Sequence, residues 1–382
     1  MKLSFKITLV AFLLSSFQLF AQAVEATTDP VVTPATAQEE KEEEEPGFSL
    51  TGYVDAYYQG NVSQVDGADG VYLPFGTSFT GATNTFGIGN VNLLAEKTVG
   101  KVGFVGQVGF GPRATQANGG FAGNFASTVQ QLFVTYSPSD AVTFTLGNFG
   151  TFVGYEVIDA PANMNYSVSY LFSNGPFFHT GAKADFALGE KFGAMIGVFN
   201  DTDSKIDGVA GKHLGAQLST ELGGLSAYLN VLTGKEAEGG DLTTSDDDLS
   251  EFQVDLTATY AVSETFSLGL NVSSYSQSFD GESVGGFFGT ALYATVNASE
   301  TATVSLRGEL FSLTPPEGVD IDTPSVLSLT ASAGFSVGDL RIIPEVRFDS
   351  GSNGFFNVYD SDTYGVNDES VFAFILAGVY SF

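Results

Sequence analysis

His179 and His213 are the only imidazoles in the chain, and there is no cysteine. Hydrolytic or nucleophilic catalysis needs a nucleophile or an activated water beside an imidazole or a carboxylate pair. Both histidines fall at the starts of short strand-like segments, with no G-x-S-x-G near either. The lack of cysteine excludes disulfides and thiolate metal sites, and two histidines exclude a multi-histidine metal centre. One metal-like pattern remains, Asp201-x-Asp203-x-x-x-Asp207-Gly208, whose oxygen spacing suits a hard cation. It lacks the bidentate glutamate of a calcium loop, so Asp201, Asp203 and Asp207 form a candidate site on partial grounds. Asp246-Asp247-Asp248 reads as solvated charge. Gly109-Phe110-Gly111-Pro112-Arg113-Ala114 fits G-x-G-x-x-A, but it ends a strand-like run with no helix expected after it, which argues against a dinucleotide site. No catalytic residue and no cofactor is assigned.

Charge narrows the classes further. Among 382 residues, 44 acids stand against 14 bases, a net charge of −30. Such a chain repels phosphate backbones, which excludes nucleic acid as a partner. The 35 Phe and 15 Tyr make it far too aromatic for a disordered acidic polymer. Charged residues are only 15% and glycines number 46, a profile that suits a β protein facing lipid on one side.

The N-terminus reads as an export signal. Lys2 and Lys6 precede an apolar run from Ile7 to Phe20, and Ala21-Gln22-Ala23 offers cleavage after Ala21 or Ala23. The run is too short for a spanning helix. Residues 1–23 are therefore expected to be a signal peptide and 24–46, with the run Glu39 to Glu45, an acidic disordered tail.

From Phe48 onward the hydrophobic period becomes two. Phe252, Val254, Leu256, Ala258 and Tyr260 alternate with Glu251, Gln253, Asp255, Thr257 and Thr259, and similar alternation continues to the last residue. This is strand periodicity. Sixteen such segments begin near Phe48, Phe86, Val102, Gln131, Ala141, Phe178, Phe192, Lys212, Leu225, Glu251, Phe266, Phe287, Ala302, Val326, Leu340 and Val371. The second slips phase at Gly89-Asn90, which a β-bulge explains.

The connections alternate long and short throughout. Long ones lie near 61–84, 112–128, 149–177, 201–211, 235–250, 277–285, 313–324 and 350–370. Short ones include Thr98-Val99-Gly100, Leu222-Gly223-Gly224 and Ser336-Val337-Gly338-Asp339. An antiparallel meander sorts its connections this way, and membrane barrels carry short periplasmic turns and longer outer loops. The expected fold over 47–382 is all-β, a transmembrane antiparallel β-barrel of about 16 strands with both termini periplasmic. Its setting is then the bacterial outer membrane, in contact with lipid and lipopolysaccharide. The last strand places Phe372, Phe374, Leu376, Tyr380 and the terminal Phe382 on one face, the kind of ending that barrel-assembly machinery recognises.

The stretch Gly147-Asn148-Phe149, Gly154-Tyr155-Glu156-Val157-Ile158-Asp159-Ala160-Pro161-Ala162-Asn163, Asn165-Tyr166-Ser167, Ser169-Tyr170-Leu171-Phe172 and Gly175-Pro176-Phe177-Phe178-His179-Thr180-Gly181 resembles the most recognisable block of the OmpL-like β-barrel porins of Bacteroidetes-type bacteria. The Ala21-Gln22 junction also resembles their export signals. The resemblance implies a porin for passive diffusion of small hydrophilic solutes and ions. Porins of this size are commonly trimers, so a homotrimer is expected.

The resembling block falls in the third long connection. In sixteen-stranded general porins that loop folds into the lumen and narrows it. Here it carries Glu156 and Asp159 with no Lys or Arg, and many aromatics. It either packs inside as a constriction or folds over the rim. If it packs inside, Glu156 and Asp159 are expected at the narrowest cross-section, where neutralising both would lower cation preference and leave folding untouched. Alternation places Asp55, Asp185, Glu221, Glu251, Asp255, Glu309 and Glu345 on the lumen face, with the bases Lys183, Arg307, Arg341 and Arg347. The bases either face the acidic loop and set a transverse field, or pair Glu309 and Glu345 across the sheet. Two other readings stand beside the channel: a non-conducting structural or adhesive barrel, and an outer-membrane hydrolase relying on His179 or His213.

Overall fold

A computed structural model describes residues 47–61, 77–81, 84–118, 125–206, 211–236, 249–319, 321–352, 355–358 and 370–382. The expected signal peptide and acidic tail lie outside these residues, as does Asp207. Strands β1 (Ser49–Asn61), β2 (Thr85–Val99), β3 (Val102–Phe110), β4 (Val129–Ser139), β5 (Val142–Gly150), β6 (Phe178–Ala187), β7 (Phe192–Phe199) and β8 (His213–Leu222) form one half of the wall. The other half is β9 (Leu225–Glu236), β10 (Leu249–Ala261), β11 (Phe266–Phe279), β12 (Glu282–Ser299), β13 (Ala302–Thr314), β14 (Ser325–Val337), β15 (Leu340–Ser352) and β16 (Ser370–Ser381). Each strand pairs antiparallel with its sequence neighbours, and β1 pairs with β16, so the sheet is a closed barrel of sixteen. Closure leaves no edge strand with unpaired backbone groups, as a structure in lipid requires. Gly52 and Phe382 exchange both backbone hydrogen bonds at 2.9 Å, which ties the last residue into the seam.

The alternating pattern translates directly into two faces. Phe252, Leu256, Phe372, Phe374, Leu376 and Tyr380 are exposed on the outside, while Glu251, Gln253, Asp255 and Glu345 are buried within. Leu256 lies mid-strand on the outer face of β10 and is 37% exposed. A cation at the bilayer midplane on such a face costs roughly 2–4 kcal/mol. Leu256→Arg is therefore expected to lower the unfolding free energy by that order in urea titrations of bilayer-embedded protein, while Thr257→Arg, on the lumen side, should not incur that lipid penalty. Equal losses for the two would contradict the facing.

The phase slip in β2 is a bulge: Val54 pairs Val91 and Ala56 pairs Ile88, so Gly89 and Asn90 together oppose Asp55. The Asn90 backbone N–H donates to Asp55 Oδ1 at 2.6 Å. A second bulge was not legible. Gln107 pairs Gln131 but Val108 pairs Val129, leaving Gln130 as the extra residue on β4. A bulge re-aims a side chain, and Gln130 is buried although simple alternation from Leu132 and Val134 would turn it outward.

Two expectations need correction. The connection at 277–285 is no long loop: β11 and β12 run on to Phe279 and Glu282, joined by Asp280-Gly281 with φ of 51° and 85°. Both turn residues in the left-handed region give the tight hairpin whose twist matches the strands, and an Asp-Gly pair supplies it. β12 therefore starts five residues before Phe287. A six-residue helix, Pro112–Ala117, also follows β3, where no helix was expected. Pro112 at its first turn lacks the N–H that would be unsatisfied there. No helix among the described residues is long and apolar enough to cross a membrane.

Candidate functional site

The segment between β5 and β6 enters the barrel. Its aromatics, too many for a solvated loop, drive this: Tyr166 and Tyr170 are fully buried at 0% exposure. Loop polar groups must then find partners on the wall, because a buried unpaired polar group costs about 1–3 kcal/mol. The wall supplies them. Glu345 on β15 accepts the backbone N–H groups of Tyr166 and Ser167 at 2.7 and 3.0 Å. Glu309 on β13 accepts those of Tyr170 and Leu171 at 2.9 and 2.8 Å. Arg307 donates to the Ser167 carbonyl at 2.7 Å and Arg347 to the Val168 carbonyl at 2.9 Å. Arg341 donates to the carbonyls of Asn163 and Met164 at 3.2 and 3.4 Å.

Between these clamps the tyrosines reach further. Tyr166 Oη donates to Asp55 on β1 at 2.6 Å, and Tyr170 Oη to Asp349 on β15 at 2.8 Å. Tyr155 stacks on Tyr293 of β12 with centroids 4.3 Å apart. A short helix, Tyr170–Asn174, is capped by Ser169, whose hydroxyl accepts from the Phe172 amide. Apolar contacts of the loop gather in four clusters. Tyr170 and Leu171 join Phe287, Phe311 and Phe355, while Ile158, Val168 and Phe172 join Phe79 and Ala117.

Every residue named from the sequence as a constriction candidate has a defined place. Glu156 forms an ion pair of 2.6 Å with Arg307 and accepts the Ser169 amide at 2.6 Å. Asp159 accepts from Tyr53 at 3.0 Å, Gln130 at 2.9 Å and Gln107 at 3.1 Å. Burial pushes the Asp159 carboxyl up, and these three donors pull it back. Arg347 is held by Asp349, with Nε 3.0 Å from both carboxylate oxygens. Lys183 stands apart on β6, 2.9 Å from Asp185.

Arg307 does face the acidic loop, but in direct contact with its Glu156. Arg307 and Arg347 are 2% and 1% exposed and do not look across an open gap at the loop. Their ion pairs are with Glu156 and Asp349, while Glu309 and Glu345 spend their oxygens on loop amides. Glu156 and Asp159, expected at the narrowest cross-section, are 6% and 2% exposed. Both are buried and hold the loop down, so neutralising them would disturb its docking.

Among the contributors not singled out from sequence, Asp349, Gln130 and Arg113 differ in how far they were legible. Asp349 continues the period-two series after Glu345 and Arg347, so alternation contained it. Gln130 is reached only through its bulge. Arg113, in the unexpected helix, is 1% exposed, 3.8 Å from Asp55, and lies over the rings of Phe79 and Tyr166. Its signal was a lone base in a long connection.

Of the cation pattern, Asp207 lies outside the described residues, and Asp201 and Asp203 have separate partners. Asp203 Oδ1 accepts the backbone N–H groups of Phe177 and Phe178 at 2.7 and 3.0 Å, fastening the loop's exit, and Asp201 Oδ1 lies 3.8 Å from His213. Among the described residues no group of three or more His, Asp or Glu is placed to hold a metal ion. His179 meets Thr151 at 3.0 Å between the rings of Phe152 and Phe199, and His213 Nε2 lies 3.2 Å from Glu251.

Burial raises the Asp203 carboxyl to about 7, against the pull of the two amides and of Lys205. Its ordinary value is about 3.9, so between the two the folded protein holds the proton more tightly than the unfolded chain. Asp203 therefore makes stability fall as pH rises from about 4 to about 7. Asp203→Asn keeps an acceptor for the amides without the titration. Its thermal stability should lose that component of the slope; a pH dependence identical to wild type would remove Asp203 as a source.

The loop leaves space on one side. A partly open cavity of about 380 Å³ lies against β9 to β13 toward the long-loop end, lined by Asp203, Glu251, Gln253, Tyr275, Phe287 and Leu313 among others. A narrow continuation of about 10 Å³ runs between Leu171, Phe172 and Pro176 of the loop and Gln253, Asp255, Asn271 and Ser273 of the wall.

The barrel is similar to solved outer-membrane proteins. An anion-selective porin from Comamonas acidovorans superposes with a TM-score of 0.59 at 15% identity, covering 88% of this chain and 100% of that one. OmpT expressed in the outer membrane of Vibrio cholerae gives 0.56 at 11%, covering 90% and 100%. The outer-membrane channel DcaP of Acinetobacter baumannii gives 0.55 at 15%, covering 90% and 99%. These likenesses concern the fold. No curated protein matches the chain by sequence. A family model, however, spans the entire barrel, residues 47–382, and by that match the chain belongs to the family described as "Putative beta-barrel porin-2, OmpL-like".

Proposed function

We propose that the protein is a porin of the outer membrane through which small hydrophilic solutes and ions diffuse passively, narrowed by the inward-folded loop 149–177. The observation that carries this reading is the loop's route: it meets β1, β3, β4, β10, β12, β13, β14 and β15 from inside the barrel. A loop so held sets the free cross-section. In this reading Glu156, Asp159, Arg307, Arg341 and Arg347 build the constriction as its scaffold, and Lys183 with Asp185 lines the lumen beside it. Both termini face the periplasm at the short-turn end, Phe382 is presented to the assembly machinery, and the long loops meet lipopolysaccharide. The assembly we propose is a homotrimer; an in-vitro folded OmpT of Vibrio cholerae was solved in a trimer form.

Planar-bilayer recording of the refolded protein tests this. Discrete conductance steps are expected, with a weak to moderate cation preference that grows in dilute salt as screening weakens. Swelling of liposomes in small sugars should follow. The density of packing around Arg307 and Arg347 favours one competing reading, a non-conducting structural barrel. Folded, heat-modifiable protein that gives no conductance and no swelling would establish that alternative.

A further inference from the structure

The inner wall divides into two chemistries. On β13 and β15 it carries ion pairs, Arg307 with Glu156 of the loop and Arg347 with Asp349. From β8 to β11 it carries mostly neutral amides and hydroxyls: Gln217 donates to Asn230 at 2.8 Å, Gln253 to Ser273 at 3.0 Å, and Asn271 to Asp255 at 2.6 Å. The 380 Å³ cavity lies on this second side, and no lysine or arginine among the described residues lines it. The carboxylates that reach it are already engaged. Glu251 meets His213, Gln277 and the Tyr275 hydroxyl, and Asp203 takes two backbone amides with Lys205 near it. The spare hydrogen-bonding capacity belongs to neutral groups. Gln253 gives one amide hydrogen to Ser273, and Asn174 gives one to the Tyr170 carbonyl at 2.9 Å. Each keeps a second amide hydrogen and its oxygen. Among the described residues no hydrogen bond uses those oxygens or the Thr202 hydroxyl, and all three residues line the cavity.

Register gives the cavity its other character. Leu232, Gln253, Tyr275, Phe287 and Leu313 are successive cross-strand partners from β9 to β13, and all five line the same space. They form a belt of apolar and aromatic surface interrupted by one amide. Tyr275 and Phe287 stack with ring centroids 5.4 Å apart at 20°. A solute that matches the belt needs an apolar face and hydroxyls around its edge. A hydrocarbon would leave the amides of Gln253 and Asn174 without partners, at a cost of about 1–3 kcal/mol for each group. An ion would give up its hydration without gaining an unengaged countercharge. A closed sugar ring meets both demands: its C–H groups lie on its faces, its hydroxyls project from its edge, and the electronegative face of an aromatic ring attracts such C–H groups. The volume of about 380 Å³ is at the small end of ligand pockets. The narrow continuation, about 10 Å³, has room for about one water, so a ring stays in the chamber until the loop yields.

Resting on the porin reading, we infer that this chamber is the outer station of the solute path and binds a neutral saccharide ring, its C–H face on Tyr275 and Phe287 and its hydroxyls on Gln253, Asn174 and Thr202.

The probe is methyl glucopyranoside, a closed neutral ring. Mannitol supplies the hydroxyls without a rigid apolar face, and cyclohexanol supplies the ring with a single hydroxyl. Each is added at millimolar concentration to the wild-type channel in a bilayer, and the ionic current is recorded. The expected result is a concentration-dependent block, with current fluctuations, by the glucoside and much weaker effects of the other two. Tyr275→Leu, compared with its own unblocked current, should weaken the block about fivefold or more, the size of a lost aromatic contact. Tyr275→Phe keeps the ring but not the hydroxyl that meets Glu251, and should retain the block. Equal effects of the three probes, no block by the glucoside, an undiminished block in Tyr275→Leu or a lost block in Tyr275→Phe would overturn the inference and leave a conducting porin standing. The wild-type comparison of the three probes decides this even if a variant does not fold. A wild-type protein without conductance would remove the porin reading and the inference together.

Discussion

Replacing residues 155–172 with a short Gly-Ser linker is expected to raise single-channel conductance several-fold and to admit larger sugars in liposome swelling. The barrel should survive, because its strands pair only with each other and its closure runs through β1 and β16, not through the loop. What the linker exposes is a wall of Asp55, Arg307, Glu309, Glu345 and Arg347, polar groups that water solvates as it does the interior of other channels. The cation preference should weaken as the passage widens, since field focusing depends on narrow low-dielectric walls. Heat-modifiable migration reports folding independently. A folded deletion variant with wild-type conductance and size limit would place the restriction elsewhere and sink the constriction reading, though not the porin reading.

The second large effect is expected from Arg307→Met. Arg307 is fully buried and serves Glu156 at 2.6 Å, the Ser167 carbonyl at 2.7 Å and Thr330 at 3.1 Å. Removing one member of a buried ion pair leaves the other charge without compensation, at a cost of roughly 3–5 kcal/mol. That cost falls on the docked loop, because Glu156 becomes solvated if the loop leaves the wall. The variant should therefore fold as a barrel but show flickering, higher conductance and faster proteolysis within 151–177. Pairing it with Glu156→Met removes both charges and should restore quieter conductance, since an apolar replacement of a buried pair is often neutral. Glu156→Gln alone should share the loosened behaviour, as it strands Arg307. If the double variant were as loose as Arg307→Met, the carbonyl contacts of Arg307, not its pairing with Glu156, would be what secures the loop.

Both experiments bear on a residue set that the sequence named without showing how it works. Inward and outward positions follow from the parity of each residue along its strand, and parity is a local property that survives any tertiary arrangement. That is why the sixteen strands, the outer faces of Phe252 and Leu256 and the lumen positions of Glu309, Glu345, Arg307 and Arg347 could be read before folding. The Gly89-Asn90 bulge was legible because it broke parity within one apolar run. The Gln130 bulge was not, because it falls where β4 begins and no run precedes it to be broken. The Asp280-Gly281 hairpin was missed for a related reason: beyond the lipid, strand residues are no longer selected by the two-faced pattern, so an extended hairpin reads like a loop.

Lipid on one side and a polar interior on the other impose a repeat on every strand, so the barrel, its strand number and the side chains that enter its lumen are legible residue by residue. The sequence also marked 149–177 as a loop too aromatic for water. Which groups pair with which was settled by folding. Arg307 chose Glu156 from a loop 151 positions away, Glu309 and Glu345 turned to backbone amides, and Asp159 found Tyr53, Gln107 and Gln130. Such choices depend on where a loop comes to rest inside a closed wall.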